Sequence, residues 1–148
     1  MDTERMTQKK AIIIGATSGI GLEMVKVLTS QGWQVGIAGR RQALLQQIQS
    51  KNLDVIATEC IDITQEDAPR RLLSLIGKTG GMDLYFHSAG IGYQNPALDL
   101  EKEMATVATN VAGFTQMVGT AFHYFEQQGH GHLAVISSIA GTKGLAKL

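Results

Sequence analysis

Three glycines spaced Gly-x-x-x-Gly-x-Gly, at residues 15–21, make up the segment whose chemical use is clearest. They lie between an apolar run at residues 11–14 and apolar residues at helical spacing, so we expect a turn from a buried strand into a helix. Gly15 would turn the chain tightly, Gly19 would admit a pyrophosphate to the backbone, and Gly21 would let the helix pack on the sheet. Unpaired amides and the positive end of the helix would face the phosphates. The segment indicates dinucleotide binding, and the alternative is a tight turn without a ligand. The candidate contacts are Gly15, Thr17, Ser18, Gly19, Ile20 and Gly21.

Two arginines are the second candidate group. Arg40 and Arg41 follow Gly39 at the end of the second apolar run, where the adenosine ribose of a dinucleotide would lie. An acidic residue there would accept the 2′-hydroxyl and repel a 2′-phosphate, whereas an arginine can bind that phosphate. The pair therefore predicts NADP(H) rather than NAD(H), with Arg40 favoured as the selecting residue. The alternative is a solvated basic pair that opens a helix.

Other reactive side chains indicate less. His130 and His132 flank a glycine without further ligands nearby in the sequence, so we expect a solvated turn and no metal site. Cys60 is the single cysteine, which excludes an internal disulfide and favours a small buried side chain. Ser137 and Ser138 lack the Gly-x-Ser-x-Gly context of an esterase nucleophile, and one alternative for them is a strand-end hydroxyl that caps the backbone.

Strand and helix patterns alternate along the whole chain and predict the framework that positions these residues. Short apolar runs predict five strands, at residues 11–14, 33–38, 55–61, 84–87 and 133–137. Helical spacing predicts helices between them, the longest within residues 99–128. Its apolar stripe, expected to be core or interface, comprises Met104, Val107, Ala108, Val111, Val118, Phe122 and Phe125. Alternation of this kind predicts an α/β fold with a doubly wound parallel sheet.

Length and composition limit the function classes. The 148 residues suit one domain, with a polar tail at residues 1–10 and the domain proper at residues 11–148. Lysine plus arginine equals aspartate plus glutamate at 13 each, which disfavours nucleic acid and anionic membranes as partners. The sequence has neither a signal-peptide pattern nor an apolar run long enough to span a bilayer. We therefore expect a soluble, cytoplasmic protein.

The ordered motifs resemble those of the short-chain dehydrogenase/reductase family, whose Rossmann fold and NAD(P) binding the resemblance implies here. The glycine spacing has the family's form. By resemblance, Asp62, followed by Ile63, would hold the adenine amino group. Residues 87–90, His-Ser-Ala-Gly, look like the family's Asn-Asn-Ala-Gly segment and would place Ser88, Ala89 and Gly90 beside the cofactor. Asn110 matches the helix asparagine of the catalytic tetrad, and Ser138 matches the serine that hydrogen-bonds the substrate oxygen.

The sequence departs from the family pattern in several places. Ile14 stands where the family usually has threonine, and Ser88 stands where it has the central asparagine. The family's Tyr-x-x-x-Lys pair would lie beyond Leu148, so we expect a domain that lacks the last helices and strands of the complete fold. None of the tyrosines is followed by lysine four residues later. That position holds Ala89 after Tyr85, Ala97 after Tyr93 and Gln128 after Tyr124. Lys143 and Lys147 remain as candidate proton donors.

Two function classes follow from the sequence. The first is an NADP(H)-dependent oxidoreductase that, in its complete form, transfers hydride between NADPH and a small carbonyl or alcohol substrate. The second is a non-catalytic dinucleotide-binding module or truncated remnant. Both predict cofactor binding. An unpaired edge at the fifth strand also leads us to expect self-association.

Overall fold

The computed structural model describes residues 8–146, so residues 1–7 of the expected polar tail and Lys147 lie outside the described part of the chain. Five parallel strands form one sheet in the order β3-β2-β1-β4-β5. This is the doubly wound α/β, or Rossmann, architecture that the sequence predicts. The strands are β1 (Lys10–Ile14), β2 (Gln34–Gly39), β3 (Val55–Cys60), β4 (Leu84–His87) and β5 (His132–Val135). The α-helices are α1 (Gly19–Ser30), α2 (Gln42–Lys51), α3 (Ala68–Thr79), α4 (Leu100–Val107) and α5 (Phe114–Gln128).

The core lies on both faces of the central strand β1, which explains why this strand is a continuous apolar run. Ile12 and Ile14 point toward α3 and α5, where they join Leu72, Leu75 and Met117 in one buried cluster. The other face packs against α1 and α2 in a second buried cluster. A parallel sheet covered by helices on both faces requires apolar residues at every position of its inner strands. Residues of that second cluster include Ala11, Ile13, Val25, Leu28, Val35, Ile37 and Leu45.

Glycines in the left-handed conformation end three of the helices. Gly32 follows α1 and Gly129 follows α5, each with φ +86°. The helical spacing of Leu72, Leu73 and Ile76 predicts a third helix that ends near Gly77, but α3 continues through Thr79 and ends at Gly80, whose φ is +84°. The amides of Gly80 and of the next residue both donate to the Ile76 carbonyl, which satisfies the end of this helix.

The helical region at residues 99–128 differs from the single α-helix that its apolar stripe predicts. A π-helical segment, Ala108–Gly113, separates α4 from α5. The wider turn shifts the phase of the helix, so the predicted stripe does not share one buried face. Val107, Val111 and Phe122 are exposed, and the buried face of α5 is instead formed by Met117, Ala121 and Phe125.

The fifth strand is shorter than its sequence pattern. It covers His132–Val135 rather than residues 133–137, although the Ile136 amide still donates to the His87 carbonyl at 3.0 Å. Beyond it the chain turns into a short 3₁₀-helix, Ile139–Gly141. The Ser138 hydroxyl accepts from the Ala140 amide at 3.1 Å, and this cap draws the chain out of the extended conformation.

Candidate functional site

A cleft of about 720 Å³ opens at the carboxyl ends of the strands, where the strand order reverses between β1 and β4. In open parallel sheets this reversal point is where ligands bind, because the connections leave in opposite directions and the strand ends stay uncovered. The volume falls in the usual range for small-molecule sites. Twelve of the sequence-predicted site residues line it: Gly15, Thr17, Ser18, Gly19, Ile20, Arg40, Arg41, Asp62, Ile63, Ser88, Ala89 and Gly90. Asn110 and Ser138 line it as well.

The glycine loop joins β1 to α1 with the geometry that its spacing suggests. Gly15 has φ +81° and lies so close to the turn after β4 that a Cβ on it would be 2.8 Å from the Ala89 nitrogen. Gly19 also has a positive φ and has open space in front of it, so a ligand can approach its backbone. Gly21 does not line the cleft. Its role is packing, since a Cβ there would overlap the Gly15 carbonyl.

Ser18 precedes α1 in an extended conformation, and its hydroxyl does not cap the helix. Ser18 and the first two residues of α1, Gly19 and Ile20, line the cleft. An uncapped helix N-terminus is a good site for a phosphate because its amides and its dipole both favour negative charge.

The two arginines after β2 occupy different places at one end of the cleft. Arg41 donates from Nη2 to the Thr17 hydroxyl at 2.9 Å, which bridges the glycine loop and the turn after β2. Arg40 lies near Asp62 and acts on its carboxylate through charge. Both side chains are exposed, and Gly39 approaches Thr17 closely enough that a Cβ would be 2.9 Å from its methyl carbon.

Asp62 lies half-buried just after β3. Its Oδ1 accepts from the Thr64 amide at 3.0 Å and from the Thr64 hydroxyl at 2.7 Å. Burial opposes ionisation, but these two bonds, the Arg40 charge and a bond from Gln65 outweigh it and lower the pKa of Asp62 below its ordinary 3.8. The carboxylate is thus ionised and oriented at neutral pH. Thr64 is a cleft residue that the sequence analysis missed, and the Asp-x-Thr turn pattern is a signal for it.

The turn after β4 is bonded to the end of β1 and to the buried side chain of His87. The Ser88 amide donates to the Ile14 carbonyl at 2.9 Å. His87, at the end of the strand, is buried and contacts both the Tyr85 hydroxyl and the Ala89 carbonyl. Burial lowers the pKa of His87 and raises that of Tyr85. His87 is not among the site residues predicted from the sequence, although its position in the Asn-Asn-Ala-Gly-like segment is a signal for it.

Asn110 lies in the π-helical segment and forms two hydrogen bonds to one residue of the loop after β4. Its Oδ1 accepts from the Ile91 amide at 2.9 Å, and its Nδ2 donates to the Ile91 carbonyl at 2.7 Å. Wider helical turns of this kind are frequent at functional sites. Here the turn brings a helix side chain to the rim of the cleft, close to Gly90, whose Cβ position is 3.4 Å from Asn110 Oδ1.

Ser138 is exposed at the cleft, beside Ser137. Its oxygen accepts from the Ala140 amide, as in the simple capping role, while its hydroxyl hydrogen remains able to donate toward the cleft. Tyrosine is absent from the cleft lining within residues 8–146.

Cys60 differs from the buried side chain that the sequence suggests. It is half-buried at the end of β3, and its Sγ donates to the Arg40 carbonyl at 3.4 Å, because the turn after β2 runs alongside it. In the part of the chain that the structure describes, no cluster of three or more His, Cys, Asp or Glu side chains could hold a metal ion. Over the same residues, no helix combines the length and the apolar character needed to cross a membrane.

This sheet order, with a glycine loop leading into a helix at the reversal point, defines a dinucleotide-binding class of α/β protein. The chain belongs to the short-chain dehydrogenase family, whose model, described as "short chain dehydrogenase", matches residues 9–148. A Myxococcus xanthus protein described as an uncharacterized oxidoreductase is 34% identical over 95% of this chain. A Mycobacterium tuberculosis protein with a similar description is 30% identical over 95% of it. The chain spans 58% of the length of each of these two relatives.

Solved structures show the same fold. The closed form of a serine dehydrogenase complexed with NADP⁺ matches with a TM-score of 0.85 at 25% identity, over 93% of this chain and 57% of its own length. A short chain dehydrogenase from Mycobacterium smegmatis matches with a TM-score of 0.86 at 21% identity, over 95% of this chain and 61% of its own. The second likeness, at that identity, concerns the fold alone.

The residues of the cleft fit a nicotinamide dinucleotide, which the family binds. The open face of Gly19 and the uncapped start of α1 suit a pyrophosphate, and the ionised Asp62 suits a hydrogen-bond donor such as an adenine amino group. Taken together, the family and the cleft identify an oxidoreductase-like dinucleotide-binding module.

Proposed function

We propose that residues 11–148 form one dinucleotide-binding domain that prefers NADP(H) to NAD(H). We further propose that the whole protein transfers hydride between this cofactor and a small carbonyl or alcohol. The observation that carries the cofactor preference is the arginine pair after β2. Arg40 and Arg41 both line the cleft at the place where a ribose would lie, and no acidic residue follows β2 directly.

The arginines would act on the 2′-phosphate as hydrogen-bond donors with a full positive charge. Arg41 is held at the cleft by its bond to Thr17, so its guanidinium is already positioned before a ligand arrives. Arg40 lies on the Asp62 side and would approach the phosphate from the adenine end. Hydrogen bonds of charged groups are about twice as strong as those of neutral groups, so this contact would dominate the choice of cofactor.

The other predicted contacts would bind different parts of the cofactor along the cleft. The amides at the start of α1, with Gly19 and Ser18, would bind the pyrophosphate. Asp62, with Ile63 beside it, would hold the adenine ring. Ser88, Ala89 and Gly90 would contact the part of the cofactor that crosses the β1–β4 boundary, since they line the cleft there.

Asn110 and Ser138 would serve the reacting end. Bound cofactor would give or accept the hydride, and residues of this chain would orient the substrate. The Ser138 hydroxyl can donate a hydrogen bond to a substrate oxygen, because only its oxygen is engaged in the cap. Asn110 fixes the loop after β4 through Ile91 and so sets the width of the cleft at this end.

Titration of cofactor fluorescence tests the proposal. NADPH should bind at least about tenfold more tightly than NADH, because a charge-assisted phosphate contact contributes about 1.5–3 kcal/mol. Arg40→Ala and Arg41→Ala should each reduce that preference, with NADH affinity little changed. Arg70→Ala, which removes an exposed arginine on α3, is the matched control and should change nothing. Equal affinity for the two cofactors would contradict the preference for NADP(H).

A non-catalytic dinucleotide-binding module is the second candidate, and one observation favours it for this chain. Of the three tyrosines, Tyr85 is buried in the core, and neither Tyr93 nor Tyr124 lines the cleft. The residues of the cleft that the structure describes therefore include a cofactor site but no phenol to donate a proton. Activity measurements on polypeptides with and without a Tyr-x-x-x-Lys segment separate the two candidates.

A further inference from the structure

His87 is a buried polar residue that underlies the cleft. Its side chain is 3% exposed, yet both ring nitrogens have partners. Nδ1 lies 2.8 Å from the Tyr85 hydroxyl, and Nε2 lies 3.1 Å from the Ala89 carbonyl oxygen. Tyr85 stacks on the ring at 5.9 Å, and Phe114 packs edge-on against it at 5.2 Å. The ring is therefore fixed in one orientation.

These partners determine which nitrogen carries the hydrogen. A carbonyl oxygen can only accept, so Nε2 must be the donor to Ala89. In the neutral ring, Nδ1 then accepts from the Tyr85 hydroxyl, and both buried groups are satisfied. A single tautomer fits this site, and it aims a donor at the Ala89 carbonyl.

Ala89 is the point at which the turn after β4 meets the glycine loop. The Cβ position of Gly15 lies 2.8 Å from the Ala89 nitrogen and 2.9 Å from the Ser88 carbonyl oxygen. The two backbones are thus in contact with no space between them. A change in the position of Ala89 would move the wall of the cleft and the loop that faces the pyrophosphate.

The backbone of His87 makes a second connection. Its carbonyl accepts from the Ile136 amide at 3.0 Å, on the segment that leads to Ser138. His87 therefore contacts the turn after β4 through its ring and the segment that leads to Ser138 through its backbone.

We propose that His87 is a positioning residue for the cofactor site: its Nε2–H holds the Ala89 carbonyl and so fixes the turn at residues 88–90 against Gly15. The proposal rests on the proposed function, because its consequence is measured as cofactor affinity. His87 itself need not touch the cofactor.

Two amide substitutions separate this role from a general loss of packing. His87→Gln carries a donor at the position of Nε2, whereas the shorter His87→Asn reaches only the position of Nδ1. Both lose the imidazole ring, so both should lower the thermal midpoint by similar amounts. The dissociation constant for NADPH should stay within about twofold in His87→Gln and rise about three- to tenfold in His87→Asn. His130→Asn, in the exposed turn before β5, is the control for loss of a histidine.

Hydrogen exchange of the backbone amides gives a readout that needs no cofactor. The Ser88 amide, bonded to the Ile14 carbonyl, should exchange faster in His87→Asn than in His87→Gln. If the unmodified chain binds neither NADPH nor NADH, the proposed function fails, and the exchange rates alone decide whether His87 holds the turn. If it binds NADPH but the two variants have equal affinities, the inference about His87 is wrong and the proposed function stands.

Discussion

Gly21, in the first turn of α1, lies directly against the backbone carbonyl of Gly15, so the helix and the end of β1 are in contact without an intervening side chain. Any side chain at residue 21 would push α1 away from the sheet. Because Gly19 and Ile20 at the start of α1 line the cleft, the same displacement would move the proposed phosphate site.

Gly21→Ala should therefore reduce both stability and cofactor affinity. Overpacking of this kind costs about 1–3 kcal/mol, which chemical denaturation would detect as a lower midpoint. We expect NADPH affinity to fall at least about tenfold in the same variant, measured by fluorescence titration. Gly119→Ala on α5 is the matched control, because its Cβ would meet open space and alanine favours a helix. Unchanged NADPH binding in Gly21→Ala would show that the α1 amides do not form the phosphate site.

Stability should fall as the pH drops below about 6.5, the ordinary pKa of histidine. Burial lowers the pKa of His87 in the folded chain, so between that lowered value and 6.5 the unfolded chain binds a proton that the folded chain does not. Unfolding then becomes easier as the pH falls, by at most about 1.4 kcal/mol per pH unit. The facing residues from the adjoining strands and helix, Ile14, Val135 and Phe114, carry no charge, and Tyr85 is the titratable neighbour.

Urea denaturation at pH 7.5, 6.5 and 5.5 measures this slope. His87→Gln should show a shallower slope, and His130→Asn should keep that of the unmodified chain. The pKa of Asp62 is lowered below 3.8, so this carboxylate loses its contribution only at more acidic pH and does not affect the comparison. The same slope in His87→Gln as in the unmodified chain would show that another group is responsible.

A polypeptide of residues 1–148 should oxidise NADPH slowly or not at all with carbonyl substrates. Hydride transfer to a carbonyl needs a proton donor at the developing alkoxide, and general acid catalysis contributes about 10²–10⁴-fold. Tyr85 cannot serve, because it is buried, its hydroxyl donates to His87 and burial raises its pKa. Absorbance decay at the NADPH band, across aldehydes, ketones and diketones, is the measurement.

A longer polypeptide that carries a Tyr-x-x-x-Lys segment after Ser138 is the comparison for that measurement. It should turn over the substrates that the shorter one does not, while both bind NADPH. Comparable turnover from both would show that the tyrosine and lysine are dispensable and that the roles given to Ser138 and Asn110 need revision.

A polypeptide of residues 1–148 is expected to self-associate through the surface at β5. In the described sheet β5 is the outermost strand on its side. Val135 at its end and Ile136 and Ile139 after it are 44–69% exposed. Unpaired strand edges with apolar neighbours favour association with another chain. Sedimentation velocity at high micromolar concentration should show oligomers, and Ile139→Lys should shift them toward monomer. Leu53→Lys, an exposed leucine beside the opposite edge of the sheet, should not. A monomer throughout would contradict the expectation.

Local sequence patterns were sufficient for the sheet and for the glycine loop. Residues 11–14 are continuously apolar because both faces of β1 are buried, and the glycine spacing reflects the positive φ of Gly15 and Gly19 and the contact of Gly21 with the Gly15 carbonyl. The family resemblance brought Asp62, Asn110 and Ser138 to one cleft, which no local pattern could do. Their places on separate elements are known only once the strands are ordered.

The π-helical segment shows what a local pattern cannot detect. Its apolar spacing is compatible with an uninterrupted helix, and the wider turn depends on contacts with distant residues. Asn110 is bonded to Ile91 at both backbone groups, and Gly113 lies so close to Ile63 that a Cβ would be 2.9 Å from its carbonyl oxygen. The Cys60 contact was missed for the same reason, because it depends on the path of the turn after β2.

The strand order also bears on how the chain folds. The half of the sheet made of β3, β2 and β1 uses neighbours in sequence, so it can form while later residues are still being synthesised. The other edge of β1 pairs with β4, which lies much later in the sequence. The hydrogen bond from the Lys10 amide to the Asp83 carboxylate, for example, joins residues 73 positions apart. Closing such a long loop slows folding. The cleft, which opens between β1 and β4, is therefore complete only after β4 has paired with β1, so a nascent chain cannot bind a ligand there until that pairing has formed.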